Sequence, residues 1–250
     1  MQKLTLGCDP EFFLYDTVTN RYVSAHDKVP GNKKSPHPLK HGAVQADGTA
    51  VEFNIDPAST AEEFSHNIQE VLAQIRKMVP IKYRFCYQPI VQYDPIAWKE
   101  IPDTAKELGC DPDFNYQTLQ HNVIPTHIGR NRTASGHIHF GWSSKEDTTP
   151  NSPHFLDCAI LTKQFIQSIG FLECYWEMNK WDRLTYYGNN AFRPKPYGVE
   201  VRYLGASWLN YPKLWPWLFD SSKVLFENTL EGQLTLSYNI PMFDSRIMLS

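Results

Sequence analysis

A small set of side chains on four short alternating stretches could do chemistry together. Asp9 and Glu11 stand two apart in GCDPEFF, Glu52 in AVEFN, His137 and His139 in GHIHFGW, and Glu200 and Arg202 in GVEVRY. On an extended strand, residues two apart share a face. Each stretch therefore puts its polar residues on one side and apolar residues such as Val199, Val201 and Tyr203 on the other. If the four strands are neighbours, four carboxylates and two imidazoles line one surface. Carboxylates packed that closely repel one another by kilocalories each at an effective dielectric of about 20. One arginine does not neutralise them. Either they hold protons at raised pKa or a divalent cation sits among them. Donors that are mostly carboxylate, with one or two imidazoles, suit magnesium or manganese better than a zinc cage.

Taken singly, each signal is weak. A glutamate two residues from an arginine is usually a surface pair worth at most about 1 kcal/mol. The His-x-His pair says more, because both rings face one way. The functional case rests on all four stretches coinciding in one chain.

The elements that must position these residues are legible in outline. Residues 3–15 alternate as a strand, and Pro10, lacking an N–H, predicts an edge or a bulge. Residues 43–56 read as a hairpin turning at Asp47-Gly48. Between them, residues 24–42 have loop composition and bring Lys28, Lys33 and Lys34, which could close over an anion. Residues 59–79 are the clearest helix. Ser59 or Thr60 caps it, Glu62 or Glu63 completes a capping box, and Phe64, Ile68, Val71, Leu72, Ile75 and Met78 form its stripe. Residues 81–93 read as one strand, 133–142 as another, and 153–176 as a second helix. Residues 182–197 read as a loop leading into GVEVRY. Residues 208–229 read as a tryptophan-rich helix starting after Pro212 or Pro216, its Trp208, Trp215 and Trp217 serving as core or subunit packing. GCDPDF at 109–114 echoes GCDPEF at 7–12, but the flanks differ and no duplication follows.

Composition excludes several classes. Length suits one domain over 1–250 or two small ones, with 42% hydrophobic residues allowing a sizeable core. A net charge of −3 argues against a nucleic-acid or membrane-surface partner. No apolar run approaches the roughly 18–20 residues of a membrane span. Five irregularly spaced cysteines suggest reduced thiols, and with no visible signal peptide a cytoplasmic location is expected. There is no CxxC pair, no Walker A sequence and no GxSxG elbow.

The segments GCDPEFFLYD, ADGTAVEFNID, TASGHIHFGW and NNAFRPKPYGVEVRYLG occur in the order seen in carboxylate–amine ligases of the glutamine synthetase and glutamate–cysteine ligase superfamily. The chain most resembles its phage-type branch, the COOH–NH2 ligases of type 2, which would place it in a host cytoplasm. The HxH and GVEVR blocks are the specific ones. The superfamily usually has a glutamate where this chain has Asp9, one methylene shorter. The resemblance implies an α+β fold, a glutamine synthetase-like curved antiparallel sheet with helices on its convex face. It implies ATP and Mg2+ (or Mn2+) bound on the concave face. Carried over by position, Asp9, Glu11, Glu52, His137 and Glu200 are metal ligands. His139, Arg193 and Arg202 meet the nucleotide phosphates, and Arg202, Glu52 and Glu200 serve the transfer. Arg130 and Arg132 are weaker phosphate candidates.

The expected activity is an ATP-dependent ligase joining a small-molecule or peptide carboxylate to an amine through an acyl phosphate. An oligomer is compatible with it. The rival readings are a metal-dependent hydrolase or non-haem iron oxygenase built on His137, His139 and one carboxylate, and a non-enzymatic binding protein.

Overall fold

The computed structural model describes residues 3–107, 113–123, 128–177, 180–186, 188–235 and 239–243. In chain order its strands are β1 (Thr5–Cys8), β2 (Glu11–Asp16), β3 (Arg21–Val23), β4 (His37–Leu39), β5 (Gly42–Asp47), β6 (Ala50–Ile55), β7 (Tyr83–Cys86), β8 (Ile90–Gln92), β9 (Phe114–Asn115), β10 (Asn131–Thr133), β11 (Ile138–Gly141), β12 (Ala191–Lys195) and β13 (Gly198–Val201). The helices are α1 (Ala61–Met78), α2 (Pro95–Glu100), α3 (Asp103–Lys106), α4 (Pro153–Phe165), α5 (Lys180–Tyr186) and α6 (Leu214–Leu230). All strand pairs are antiparallel, and the arrangement is mixed α+β.

Two sheets matter for the site. One runs β1-β11-β13-β12-β9, and the other runs β3-β2-β6-β5-β4 with β7 also on β2. The chain passes from the first sheet to the second at Asp9-Pro10. Pro10 has no N–H to give a ladder, so the strand can change partners there. The changeover is still hydrogen-bonded: Asp9 N donates to His137 O at 3.4 Å, Glu11 N to Ser135 O at 2.8 Å, and Phe53 N to Pro10 O at 3.2 Å. The acids of GCDPEF thus stand at the seam between the sheets.

Helix α1 packs on β5 and β6 of the second sheet, α4 on β12 and β13 of the first, and α6 lies against α1 and α4. The α1 stripe buries Phe64, Ile68, Val71 and Ile75, while Met78 at its end is exposed. Of the two caps offered, Thr60 with Glu63 is the one formed: Glu63 N donates to Thr60 Oγ1 at 3.1 Å, and the Glu63 carboxylate reaches back to accept from Ser59 N at 2.7 Å. Trp208, Trp215 and Trp217 are buried, as expected of core residues.

Several expectations need correction. Residues 81–93 form two strands, not one; β7 joins β2 and β8 joins β10, with Gln88-Pro89 between them. The helix expected over 153–176 keeps regular form only to Phe165. Its wider turn over Ile166–Gly170 brings Gly170 beneath the Tyr203 ring, where an added Cβ would lie 2.8 Å from Cε1. Residues 182–197 are not a loop, because they hold the end of α5 and all of β12. Pro194 hid that strand. It is tolerated because β9 covers β12 only at Ala191 and Phe192, leaving an open edge at Pro194. Residues 109–112 of the GCDPDF echo lie outside the described residues.

Candidate functional site

Strand register builds the first part of the site. Gly7 lies opposite His139, His139 opposite Glu200, and Glu200 opposite Arg193, so these four form one row across β1, β11, β13 and β12. Alternation aims that row away from the helices, while Ile138, Phe140, Val199 and Val201 fill the core. In the second sheet Glu11 lies opposite Glu52, and Glu52 opposite Gln45.

The two rows yield two groups of metal-competent side chains. Ligand atoms of Asp9, His139 and Glu200 lie within 4.8 Å of one another, and so do those of Glu11, Asp47 and Glu52. His139 Nε2 is 2.8 Å from Asp9 Oδ1, yet neither atom completes a hydrogen bond of regular geometry. His137 Nδ1 is 3.2 Å from Asp9 Oδ1 and 3.6 Å from Glu200 Oε1. In the second group Glu11 Oε2 accepts from Ser135 N at 2.9 Å, and Gln45 Nε2 donates to Glu52 Oε2 at 2.7 Å.

Three cations crowd one side. Glu200 is fully buried. Its Oε2 lies 3.1 Å from Arg193 Nη1 and 2.9 Å from Lys195 Nζ, and its Oε1 accepts from Arg202 Nη1. Arg202 is buried too, and its Nε donates to Asp113 Oδ2 at 3.0 Å. Asp113 Oδ1 in turn accepts from Asn122 Nδ2 at 2.9 Å.

The electrostatics differ between the groups. Burial acts to raise the Asp9 carboxyl, but the His139 and His137 rings outweigh it and hold it well below the usual range. Burial opposes charge on His139, and Asp9 more than offsets this, raising the ring; on His137 burial and then Arg202 win, lowering it. In the second group, burial and then the neighbouring Asp47 push Glu11 up to about 8. Burial, then Asp9 and Glu11, raise Glu52 well above the usual value, and burial raises Asp47 although Lys33 works against it. That second group is therefore proton-holding ground that a divalent cation could take over.

Beside both groups lies a cavity of about 440 Å³ whose lining includes Gly7, Asp9, Glu52, Asn54, His139 and Tyr197. Gly7 leaves its floor open: an added Cβ would meet nothing nearer than His139 Cβ at 3.8 Å.

All of Asp9, Glu11, Glu52, His137, His139, Arg193, Glu200 and Arg202 thus come together in space. The ligand group includes His139, the ring assigned from sequence to phosphate, while His137 contacts the same two acids from a more buried position. Arg130 and Arg132 do not join them. Arg130 donates to Tyr93 O, and Arg132 donates to Asn131 O and Lys106 O with its guanidinium 4.4 Å over the Trp98 ring. Sequence reasoning missed Asp47, Asp113, Lys195 and Tyr197. Asp47 was visible only as a turn residue, and Lys195 sits two from Arg193 on the strand that Pro194 obscured.

No family model matches the chain. No curated protein matches it either. Among solved structures, a bifunctional glutathione synthetase from Pasteurella multocida superposes with a TM-score of 0.37 at 16% identity, covering 70% of this chain and 23% of that one. The chain therefore spans less than a quarter of the length of that protein.

Proposed function

We propose that the protein is an ATP- and magnesium-dependent carboxylate–amine ligase with a glutamine synthetase-like catalytic sheet, forming an amide or isopeptide bond through an acyl phosphate. The observation that carries this reading is two adjoining acid groups, Asp9/His139/Glu200 and Glu11/Asp47/Glu52, flanked by Arg193, Lys195 and Arg202. Phosphoryl transfer needs cations held by carboxylates next to fixed positive side chains. The donor set fits a hard divalent ion, and Asp9 Oδ1 and His139 Nε2 are buried without a regular hydrogen bond of their own.

Asp9, Glu11, Asp47, Glu52 and Glu200 would hold magnesium, which when bound offsets phosphate charge. Arg202, which Asp113 braces, would stabilise the charge that develops on the transferred group. Arg193 and Lys195, now turned to Glu200, can turn to phosphate oxygens once a cation shares that carboxylate. A substrate carboxylate oxygen takes the γ-phosphoryl group and ADP leaves. An amine nitrogen then forms a bond to the acyl carbon, phosphate leaves with the C–O electron pair, and the proton released from the amine passes to solvent. No side chain is acylated, so no nucleophile motif is required.

The rival iron or hydrolytic centre wants two imidazoles and one carboxylate. Among the described residues both His137 and His139 stand against Asp9, but Glu200, Glu11, Asp47 and Glu52 crowd the same ground beside Arg193, Lys195 and Arg202, a surplus that the iron centre leaves without a task and that supports the magnesium reading.

The test is ADP and phosphate release with a panel of carboxylates combined with amino acids, polyamines and peptides. Turnover that needs both an acid and an amine is expected. A folded protein that releases no ADP with any pair, or purifies with iron, sinks the reading.

A further inference from the structure

His139 is held at both ring nitrogens. Nε2 faces Asp9 Oδ1 at 2.8 Å, and Nδ1 lies 2.6 Å from Tyr197 Oη. The two rings lie 6.1 Å apart at 31°. Tyr197 belongs to the two-residue turn Pro196-Tyr197 between β12 and β13. Its backbone is stapled in place: Tyr197 O accepts from Trp142 N at 2.8 Å and from Ser143 N at 3.0 Å, at the exit of the strand that carries His139. The phenol is thus carried on a braced turn and brought to the ring, and both side chains line the same cavity.

We propose that Tyr197 is a positioning residue: when the His139 ring is neutral, the Tyr197 hydroxyl donates to its Nδ1 and so presents Nε2–H of that ring as a hydrogen-bond donor to the ligand in the cavity. A neutral imidazole has one donor and one acceptor nitrogen, and the partner of one decides the role of the other. A tyrosine hydroxyl with an ordinary pKa of about 10 keeps its proton at neutral pH and is able to donate. With Nδ1 accepting, Nε2 carries the hydrogen. Here Nε2 faces Asp9 Oδ1 at 2.8 Å without regular hydrogen-bond geometry, and it would turn that hydrogen to a ligand oxygen once a cation engages Asp9. His139 then acts on an anionic oxygen rather than as a cation ligand. The contact stands by itself; its catalytic consequence rests on the ligase reading.

The decisive measurement is the long-range 1H–15N pattern of histidine-labelled protein at alkaline pH, where the rings are neutral. His139 should show Nδ1 as acceptor and Nε2 as the protonated nitrogen. In Tyr197→Phe, which keeps the ring and removes one oxygen, that single pattern should give way to a mixture while His137 is unchanged. Binding of magnesium ADP, by calorimetry, should weaken in the variant about 2- to 10-fold, the worth of one ordinary hydrogen bond. A proton on Nδ1 in the wild type overturns the proposal, and so does a pattern that Tyr197→Phe leaves unmoved. Failure of the wild type to bind magnesium ADP counts against the ligase reading instead, and leaves the nitrogen pattern to judge Tyr197.

Discussion

Glu11 and Glu52 face each other directly across the β2–β6 pair. Like charges at opposed positions of an antiparallel pair are destabilising, and Asp47 adds a third acid to the same spot. The pair is tolerable only with protons or a cation between its members.

That relationship fixes a pH dependence. Glu11 is raised from an ordinary glutamate value of about 4.3 to about 8 by burial and then by Asp47. The folded state therefore binds more protons than the unfolded chain between those values. Its contribution to stability is complete below the lower value and is lost as pH rises through the upper one, by at most about 1.4 kcal/mol per pH unit for one group. The unfolding midpoint of metal-free protein should fall as pH climbs toward and past 8, and millimolar magnesium should restore it. Lys33, Arg202 and Asp9 also act on this group, so its midpoint is shared. A metal-free midpoint that rises over this window contradicts the assignment.

Glu52→Gln separates stability from binding. The amide oxygen can still accept from Gln45 Nε2, but the charge opposite Glu11 is gone. Thermal melts of the metal-free variant at alkaline pH should lie above wild type, by about 1 kcal/mol or somewhat more. The stabilisation by magnesium should disappear. A variant less stable than wild type and still stabilised by magnesium would contradict this.

Asp113→Ala tests how Arg202 is held. The ion pair is buried on both sides, and stripping one partner from a buried pair costs about 3–5 kcal/mol. Glu200 still faces Arg202, so the lower end of that range is expected in denaturant melts. ATP turnover should fall even where the variant remains folded, because Arg202 loses its brace. Normal turnover would show that Glu200 alone positions the guanidinium.

Lys195→Met should show itself in nucleotide affinity. Lys195 Nζ is partly exposed and reaches Glu200 Oε2 at 2.9 Å, beside Arg193. A charge-assisted contact to a phosphate is worth about 1.5–3 kcal/mol, so calorimetry with magnesium ADP should show a loss of roughly tenfold or more. Stability should change little, since Arg193 and Arg202 still neutralise Glu200. An unchanged affinity would restrict Lys195 to balancing that carboxylate.

What could be read from the amino-acid order alone was everything that repeats locally. Alternation marked the strand faces bearing Glu11, Glu52, His139 and Glu200, and helical spacing with a capping box marked α1. These are properties of neighbouring residues, so no partner strand was needed to see them. Pairing decided the rest. The row Gly7–His139–Glu200–Arg193 exists only because three strand registers agree, and a slip of one residue in any of them would turn its member into the core. Asp113 meets Arg202 across 89 positions of chain, and Asp47 leaves its turn to join Glu11 and Glu52. Tyr197 reaches His139 from a turn 58 residues away. No periodicity encodes such meetings. They follow from where the sheets bring distant backbone together, which is why the acids could be named from their own stretches and their partners could not.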